Sequence, residues 1–525
     1  MFYPRIASLL RIRLKTFPVL LAAAVLVACE TTGDSVDTVI DFERPRYAPP
    51  ERTIDDMVRR IRRPSRESWR CSPGYRANVD QMVEHMTANL KSTTTTRTDV
   101  AAVLDALESE VGKGNYKTGI EIAHLAIEAT SNGQDSGDYW TALGRIHASI
   151  GDIEAADDAR WGALNAWNVR NTNRVQYLDS LLRAEIALAS GDINLAEQFY
   201  YAAIDALARG PEYTRRGNMR GLEWSIHFAQ IDAGLATIAL HRGELAESER
   251  FARKAVLGTY GVARYSSRTA AMVQLLARIL VEQGRLTEVE ELLRLAIDMH
   301  EYVCAESGIL SFARAHAVVA QLKMADGDWA GALADFESVE RSLAGDPETF
   351  LRLYGANPEW ILALIKTGQP DRAAGRLERS IVVLEARYGP DSYEVAEATG
   401  LLGVARHAAA DRVSALRAFR QAVPRLLDAP IDLGGRAGPP SRNERLRLIL
   451  ESYLMLLHEL RGPGVNIEID VDPAVEMFRI ANAARGQRVN ATVAAAAARG
   501  VAGDPELASF FGLLPWSHGG EGAVV

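Results

Sequence analysis

Aromatic residues make up only 7% of this 525-residue chain, although 48% of it is hydrophobic. Alanine, leucine and arginine are plentiful instead, a mix that suits helices better than strands. A basic excess is missing too. The formal net charge is −9, and residues 1–28 hold Arg5, Arg11, Arg13 and Lys15 without an acid, so the remainder stands at −13. A non-specific nucleic-acid binder needs a basic surface, so that class is excluded.

Catalytic patterns are equally scarce. The ten histidines are scattered, with no H-E-x-x-H and no two of them four apart, so zinc hydrolase chemistry lacks its ligands. No G-x-S-x-G elbow occurs. Residues 112–118 come near a phosphate-binding loop, but Val111 and Tyr116 stand where glycines are needed, and a turn between repeats accounts for them. His300 and Cys304 are four apart, which puts them on one face if their helix continues. That spacing fits a nucleophile–base pair, half a metal site, or a chance pair at a helix end. Acidic neighbours such as Asp157-Asp158 and Glu290-Glu291 diverge on a helix and read as a solvated face. The expectation is a chain that is not an enzyme, with no catalytic residue, no cofactor and no metal.

What is present begins at the amino end. A basic stretch ends at Lys15, and an apolar run from Phe17 to Val27 follows, too short to span a bilayer. This is the layout of a secretory signal peptide. It closes on Leu26-Val27-Ala28-Cys29, which resembles the bacterial lipobox. That resemblance implies lipidation at Cys29 and a mature chain starting there. With Glu30 next, it also implies the cell envelope, at the outer membrane facing the periplasm. Cys71 and Cys304 then remain in an oxidising compartment, where a disulfide or two independent thiols are both open.

Residues 29–95 read as a tether with short helices. They carry Pro45, Pro49, Pro50 and Pro64, arginines at 59, 60, 62, 63, 66 and 70, and a Ser/Thr run at 92–96. The arginines suit either anionic headgroups beside the anchor or a solvated linker.

From 96 to 428 the chain repeats itself. Gly151-Asp152 leads to Ala156 and Ala163, Gly191-Asp192 to Ala196, Tyr200 and Ala203, and Gly243-Glu244 to Ser248, Ala252 and Ala255. Gly284, Gly327-Asp328 and Gly368 start similar runs, a weaker one starts at Gly114-Asn115, and Ala410-Asp411 replaces the glycine in the last. The marks are spaced by 37, 40, 52, 41, 43, 41 and 42 residues. The 52-residue interval leaves room for an extra turn. A period near 40 means stacked supersecondary units. The glycine ends the first helix of each pair where φ > 0 is needed, and the acid starts the second. The alanines mark close helix crossings.

This pattern resembles the tetratricopeptide repeat, a helix–turn–helix unit, most clearly in Trp140-x₂-Leu143-Gly144-x₂-His147-x₃-Gly151-x₄-Ala156-x₆-Ala163 and in Leu402-Gly403 through Ala415, Phe419 and Ala422. His147 and Arg160 stand where the family prefers aromatics. The spacing matches the longer variety, and Tyr388-Gly389-Pro390-Asp391-Ser392 is similar to its connector. The resemblance implies an all-α, tetratricopeptide-like helix-pair solenoid of about eight units with a short helical C-terminal extension. It also implies a concave groove that takes a partner's peptide or helix. In this register Arg145, Gln274, Arg278, Arg314 and Gln321 face the groove. They are either partner-binding residues, the arginines pairing with a partner's acids, or ordinary exposed polar ones.

A Pro/Gly-rich break at 428–440 precedes a helical segment, 441–511. It starts with a capping box, Ser441 and Glu444, and has room for a short strand at Val465–Val471. Asp472-Pro473 caps its last helix. There Ala474-x-Glu476-x-Phe478-Arg479-x-Ala481-x₂-Ala484-Arg485-Gly486, followed by Gly503-Asp504-Pro505-Glu506-Leu507, is similar to the segment preceding the peptidase domain in CHAT (caspase-like) proteins. Residues 512–525 are expected to be a disordered tail. Three functions follow as expectations. The first is an envelope-anchored scaffold that binds a protein partner in its groove. The second is the regulatory repeat part of a truncated CHAT-type cysteine peptidase. The third is a structural component of an envelope secretion or pilus assembly.

Overall fold

A computed structural model describes most of residues 103–482, leaving out 131–132, 168–172, 210–219, 263–265, 303–309, 429–438, 462–471 and several positions before 115. The leader, Cys29, the tether with Cys71, Cys304, the expected strand at 465–471 and everything after 482 lie outside the described residues.

Among the described residues every regular element is a helix. α1 (Tyr116–Ala129) is the second helix of its unit. The pairs that follow are α2 (Gly133–Ser149) with α3 (Ile153–Ala166), α4 (Asn173–Ala189) with α5 (Ile193–Ala208), and α6 (Arg220–Arg242) with α7 (Leu245–Val262). Next come α8 (Ser267–Glu282) with α9 (Leu286–Tyr302) and α10 (Leu310–Ala325) with α11 (Trp329–Ser342). The next unit is α12 (Pro347–Tyr354), α13 (Pro358–Lys366) and α14 (Pro370–Tyr388), and the last is α15 (Tyr393–Ala408) with α16 (Arg412–Asp428). α17 (Pro440–Leu460) follows, and a further helix covers 473–482. Each pair packs as an antiparallel hairpin on its neighbours. The chain is a tetratricopeptide-like helix-pair solenoid.

The intrapair turn is built as its residue types require. At Gly151, φ is +75°, a region that a Cβ disfavours. The Asp152 N–H donates to the His147 carbonyl at 2.9 Å, satisfying an end of α2, while the Asp152 side chain accepts from Ala155 N–H at the start of α3. Ala410 takes the same role at φ +63°, the one non-glycine with positive φ among the described residues. The alanines that follow each turn are sealed: Ala156, Ala196, Ala252, Ala296, Ala332, Ala373 and Ala415 have no exposed surface. The larger residues between them, Tyr200, Phe336 and Phe419, fill the gaps and are buried as well. Gly403 marks a close crossing, since a Cβ there would meet the Phe419 ring at 2.7 Å.

Departures from regularity have local causes. Arg160 occupies an aromatic position, yet it is buried because Asp179 of the next unit accepts its Nε at 2.8 Å. The long interval is taken up partly by α6, with 23 residues against 17 in α4. The first helix of the seventh unit is broken into α12 and α13. A Cβ at Gly355 would lie 2.6 Å from both the Leu351 carbonyl and Ser380 Oγ, and Asn357 restarts the helix by capping Trp360 N–H at 2.9 Å. Trp360 then stacks on Phe336 at 5.3 Å and carries the Arg376 guanidinium at 3.7 Å. The stack joins neighbouring units, and truncating such a buried tryptophan costs about 3–5 kcal/mol.

The stack winds back on itself. One apolar cluster holds Leu143 and Ile146 of α2 together with Leu310 and Ala313 of α10, without any residue of α4 to α9. Arg314 donates to the Ser149 carbonyl at 3.3 Å, Lys117 to Gly345 at 2.7 Å, and Arg352 pairs with Asp152 at 3.4 Å. α17 seals the end of the stack. Arg445 reaches Glu359 of α13 at 3.0 Å and Glu397 of α15 at 2.9 Å. The expected capping box at its start is not formed. The N-cap is Pro439, without a side-chain bond, and the Ser441 hydroxyl donates to Glu282 at 2.6 Å instead. A carboxylate on α8 thus does what Glu444 was expected to do.

Candidate functional site

The winding encloses a cavity of about 1750 Å³. Side chains of α2, α4, α6 and α8 make most of its wall, with fewer from α1, α5, α7, α9, α10, α12 and α14 and from the starts of α15 and α17. This volume exceeds the roughly 300–1,000 Å³ typical of small-molecule sites.

The residues expected from sequence to face a groove fall at different places. Arg145 lines the cavity and is held by a two-pronged pair with Glu185, at 2.9 and 3.0 Å. Gln274 lines it too but is buried. Its amide donates to His300 Nε2 at 2.9 Å and to the Ser311 carbonyl at 3.3 Å, which holds α8 to α9 and α10. Arg314 lines the cavity from α10. Arg278 is exposed and lies one turn beyond Gln274, on the same face of α8. Gln321 is half-buried farther along α10 and is not among the lining residues.

Other lining residues escaped the reading of the sequence. Arg442 and Tyr393 come from either side of the Pro/Gly break, and the guanidinium carbon of Arg442 sits 3.4 Å from the Tyr393 ring. Arg387 and Tyr388 end α14, where Tyr388 opens the connector, and they press against Gly151 and Gly191 of the second and third units. The connector motif was the one available signal, but it carries no information about which distant turn it meets.

Electrostatically the interior differs from the chain. Arg145, Arg174, Arg268, Arg314, Arg387 and Arg442 face it, against Asp138, Glu185, Asp192 and Glu394. Arg174 pairs with Asp138 at 2.7 Å, and Asp192 caps Leu195 N–H at 3.0 Å. His241 opens to the cavity. The helices crowded around it, then Arg278 and Arg442, lower its pKa from the ordinary value, although the imidazole itself is exposed to the cavity. His300 is pushed down to about 4 by burial and then by Arg314. It bonds to Gln274, and Cys304 lies outside the described residues, so the His300–Cys304 pairing is not tested. Among the described residues no group of three or more His, Cys, Asp or Glu gathers as a metal site. No helix among them is long and apolar enough to cross a membrane.

No protein-family model and no curated protein matches the sequence. Solved structures do match in fold. A Rap protein complexed with competence and sporulation factor superposes with a TM-score of 0.50 at 15% identity, covering 75% of this chain and 99% of that one. The hetero-tetramer Cut9–Hcn1 of the APC/C matches at 11% identity and TM-score 0.25, covering 75% and 96%. The tetratricopeptide domain of P58(IPK) matches at 12% and 0.19, covering 74% and 99%. The first supports the fold, and the other two are too distant in superposition to add to it.

Proposed function

We propose that this chain is an envelope-anchored interaction scaffold that holds an extended segment of a partner protein inside its solenoid. The carrying observation is the cavity of about 1750 Å³, whose wall, drawn from helices of successive units, mixes apolar side chains such as Leu178, Leu188 and Met272 with arginines such as Arg145 and Arg314. Stacked helix pairs present such concave surfaces, and each unit adds side chains along a bound chain. The resemblance of Leu26–Cys29 to a lipobox supports anchoring through lipid on Cys29, at the outer membrane facing the periplasm. The Rap protein is held in its structure with competence and sporulation factor, which agrees with a binding role for the same fold.

The test is photo-crosslinking in envelope membranes of the native host. A crosslinker at Met272, which lines the cavity, is expected to capture a partner. One at Val382, 65% exposed on α14, is not. Arg145→Glu, Arg278→Glu and Arg314→Glu together are expected to abolish the Met272 product. An unchanged product in that variant, or equal capture from both positions, refutes groove binding.

A second reading takes the chain as the regulatory repeat part of a CHAT-type peptidase. The helix at 473–482, which carries that resemblance, leaves Val475 60% and Phe478 70% exposed, an apolar face suited to packing against a following domain. A peptidase-like sequence encoded directly downstream of residue 525 would support it.

A further inference from the structure

One helix of the outer layer carries an aromatic side chain that the solenoid leaves uncovered. Trp161, on α3, is 54% exposed in a chain poor in aromatics. Its one ring contact is with the neighbouring Arg160, whose guanidinium carbon lies 5.0 Å from the ring centroid. Asp158 and Glu154 stand one and two turns before Trp161 on the same face, both exposed. Neither has an ion-pair partner among the described residues, whereas Asp157 is bonded within the helix to Arg160 at 3.4 Å. On α1, the second helix of the preceding unit, Glu121 and Glu128 are exposed and unpaired as well. None of these residues lines the cavity. An exposed tryptophan is among the residue types most enriched where proteins bury a partner, and the acids around this one select a cationic partner.

The same chain supplies such a partner. Residues 59–70 hold six arginines, Trp69 and a single acid, Glu67. The link from there to the first described helical residue, 71–102, is 32 residues long. A relaxed chain of that length reaches about 30 Å, and α3 belongs to the second unit. Because it is tethered, the arginine stretch meets α3 at an effective concentration on the order of millimolar. Exposed charge pairs are individually weak, and this proximity is what lets a few of them hold.

We propose that the arginine-rich stretch 59–70 docks on the outer face of α3, with guanidiniums on Trp161, Glu154 and Asp158. Arginine suits both kinds of partner, since it stacks on an indole and pairs with carboxylates. The contact is independent of the groove. It folds the tether back onto the body of the protein. Anionic headgroups compete for the same arginines, so a membrane that takes them lengthens the tether and uncovers Trp161.

Trypsin reads the docking directly, because it cuts after the arginines themselves. The probe is the full chain in micelles of a neutral detergent at low salt, with cutting after Arg60, Arg66 and Arg70 followed by mass spectrometry. Glu154→Gln combined with Asp158→Asn is expected to speed the cutting about 10-fold, and Trp161→Ser about 3-fold, the scale of a few exposed pairs gathered in one intramolecular contact. Raising the salt to about 0.5 M does the same in the parent. Glu290→Gln with Glu291→Gln, both exposed on α9, changes the net charge equally and leaves the rate unchanged. All the substituted side chains are exposed, so the variants keep the fold, and an unchanged melting temperature verifies it. An equal rate in the parent and the Glu154/Asp158 variant overturns the docking. So does protection that grows with protein concentration, which assigns the α3 face to a second copy. Protection that appears only with vesicles containing phosphatidylglycerol overturns it too, and assigns the arginines to lipid.

Discussion

Arg387 donates through Nε to the carbonyl of Ala189 at 2.8 Å, across 198 positions of the chain. Ala189 ends α4, so this carbonyl has no partner within its own helix. The same guanidinium donates through Nη1 to the Arg352 carbonyl at 3.1 Å. A cation from the seventh unit therefore caps a helix of the third, where the helix dipole is negative. The winding that makes the cavity depends on such contacts between units that are not neighbours.

Arg387→Ala is expected to cost about 2 kcal/mol, the scale of a charge-assisted hydrogen bond left without its donor. Arg387→Lys is expected to recover only part, since one ammonium replaces a planar fork that serves two carbonyls. Thermal unfolding measures the cost. Hydrogen exchange at 189–193 locates it, and faster exchange there, with the outer turn at Gly284 unchanged, is the expected pattern. Equal acceleration at both turns would contradict a local clamp.

Ala410 holds a left-handed conformation, φ +63°, that glycine holds at the corresponding turns. A Cβ in that region costs roughly 1–2 kcal/mol, partly offset by the roughly 0.5–1 kcal/mol of extra unfolded-state entropy glycine brings. Ala410→Gly is therefore expected to stabilise the protein by about 0.5 kcal/mol. Gly151→Ala acts the other way. It meets the same strain, and its Cβ would lie 2.8 Å from Arg387 Nη1. A combined loss of about 2 kcal/mol is expected, read as a fall in melting temperature. Opposite signs for the two variants are the test.

Arg445 ties α17 to α13 and α15 through Glu359 and Glu397, all three side chains being largely buried. Arg445→Leu leaves two carboxylates desolvated and unpaired, and about 3 kcal/mol is expected to be lost. Adding Glu359→Gln and Glu397→Gln is expected to restore a good part of it, because no charge is then buried alone. A triple variant no more stable than Arg445→Leu would mean that packing of the arginine stem, and not charge, holds α17.

The repeat architecture was legible because its signals are local. A glycine needed for φ > 0, an acid that caps the next helix, and alanines at the crossings all act within one unit, so Gly151-Asp152 through Ala163 announces its own structure. Even Ala410-Asp411 was readable by position, since the flanking pattern outlasts the missing glycine. The site was legible only in part. Arg145, Gln274 and Arg314 line the cavity because the repeat register orients them. Gln274 nevertheless turned out to be a buried bridge between helices, which follows from His300 and Ser311 and not from its register. Arg442, Tyr393 and Arg387 act through partners 35 to 198 positions away, and how far the stack winds decides those meetings. No single unit encodes that winding. The misread Ser441 has the same cause, because its true partner, Glu282, is 159 residues back.

His300 links stability to acidity. It is 1% exposed, and its Nε2 accepts from the Gln274 amide, while Nδ1 is buried without a hydrogen-bond partner among the described residues. Burial, and after it the Arg314 guanidinium, push it down to about 4 from an ordinary 6.5. The folded state therefore resists a proton that the unfolded chain accepts. Above pH 6.5 neither state is protonated, and His300 makes no pH-dependent contribution. Between pH 6.5 and 4 only the unfolded state takes up the proton, so stability falls as pH falls, and below 4 this contribution levels off. The full span is worth about 3 kcal/mol. His300→Gln keeps an acceptor for Gln274 but cannot titrate. Its melting temperature is expected to fall less than that of the parent between pH 6.5 and 4, whatever its value at pH 7.5. Parallel curves for the two proteins across that window would show that the imidazole takes up its proton in the folded state as readily as in the unfolded one, and that the Gln274–His300 contact does not hold it neutral.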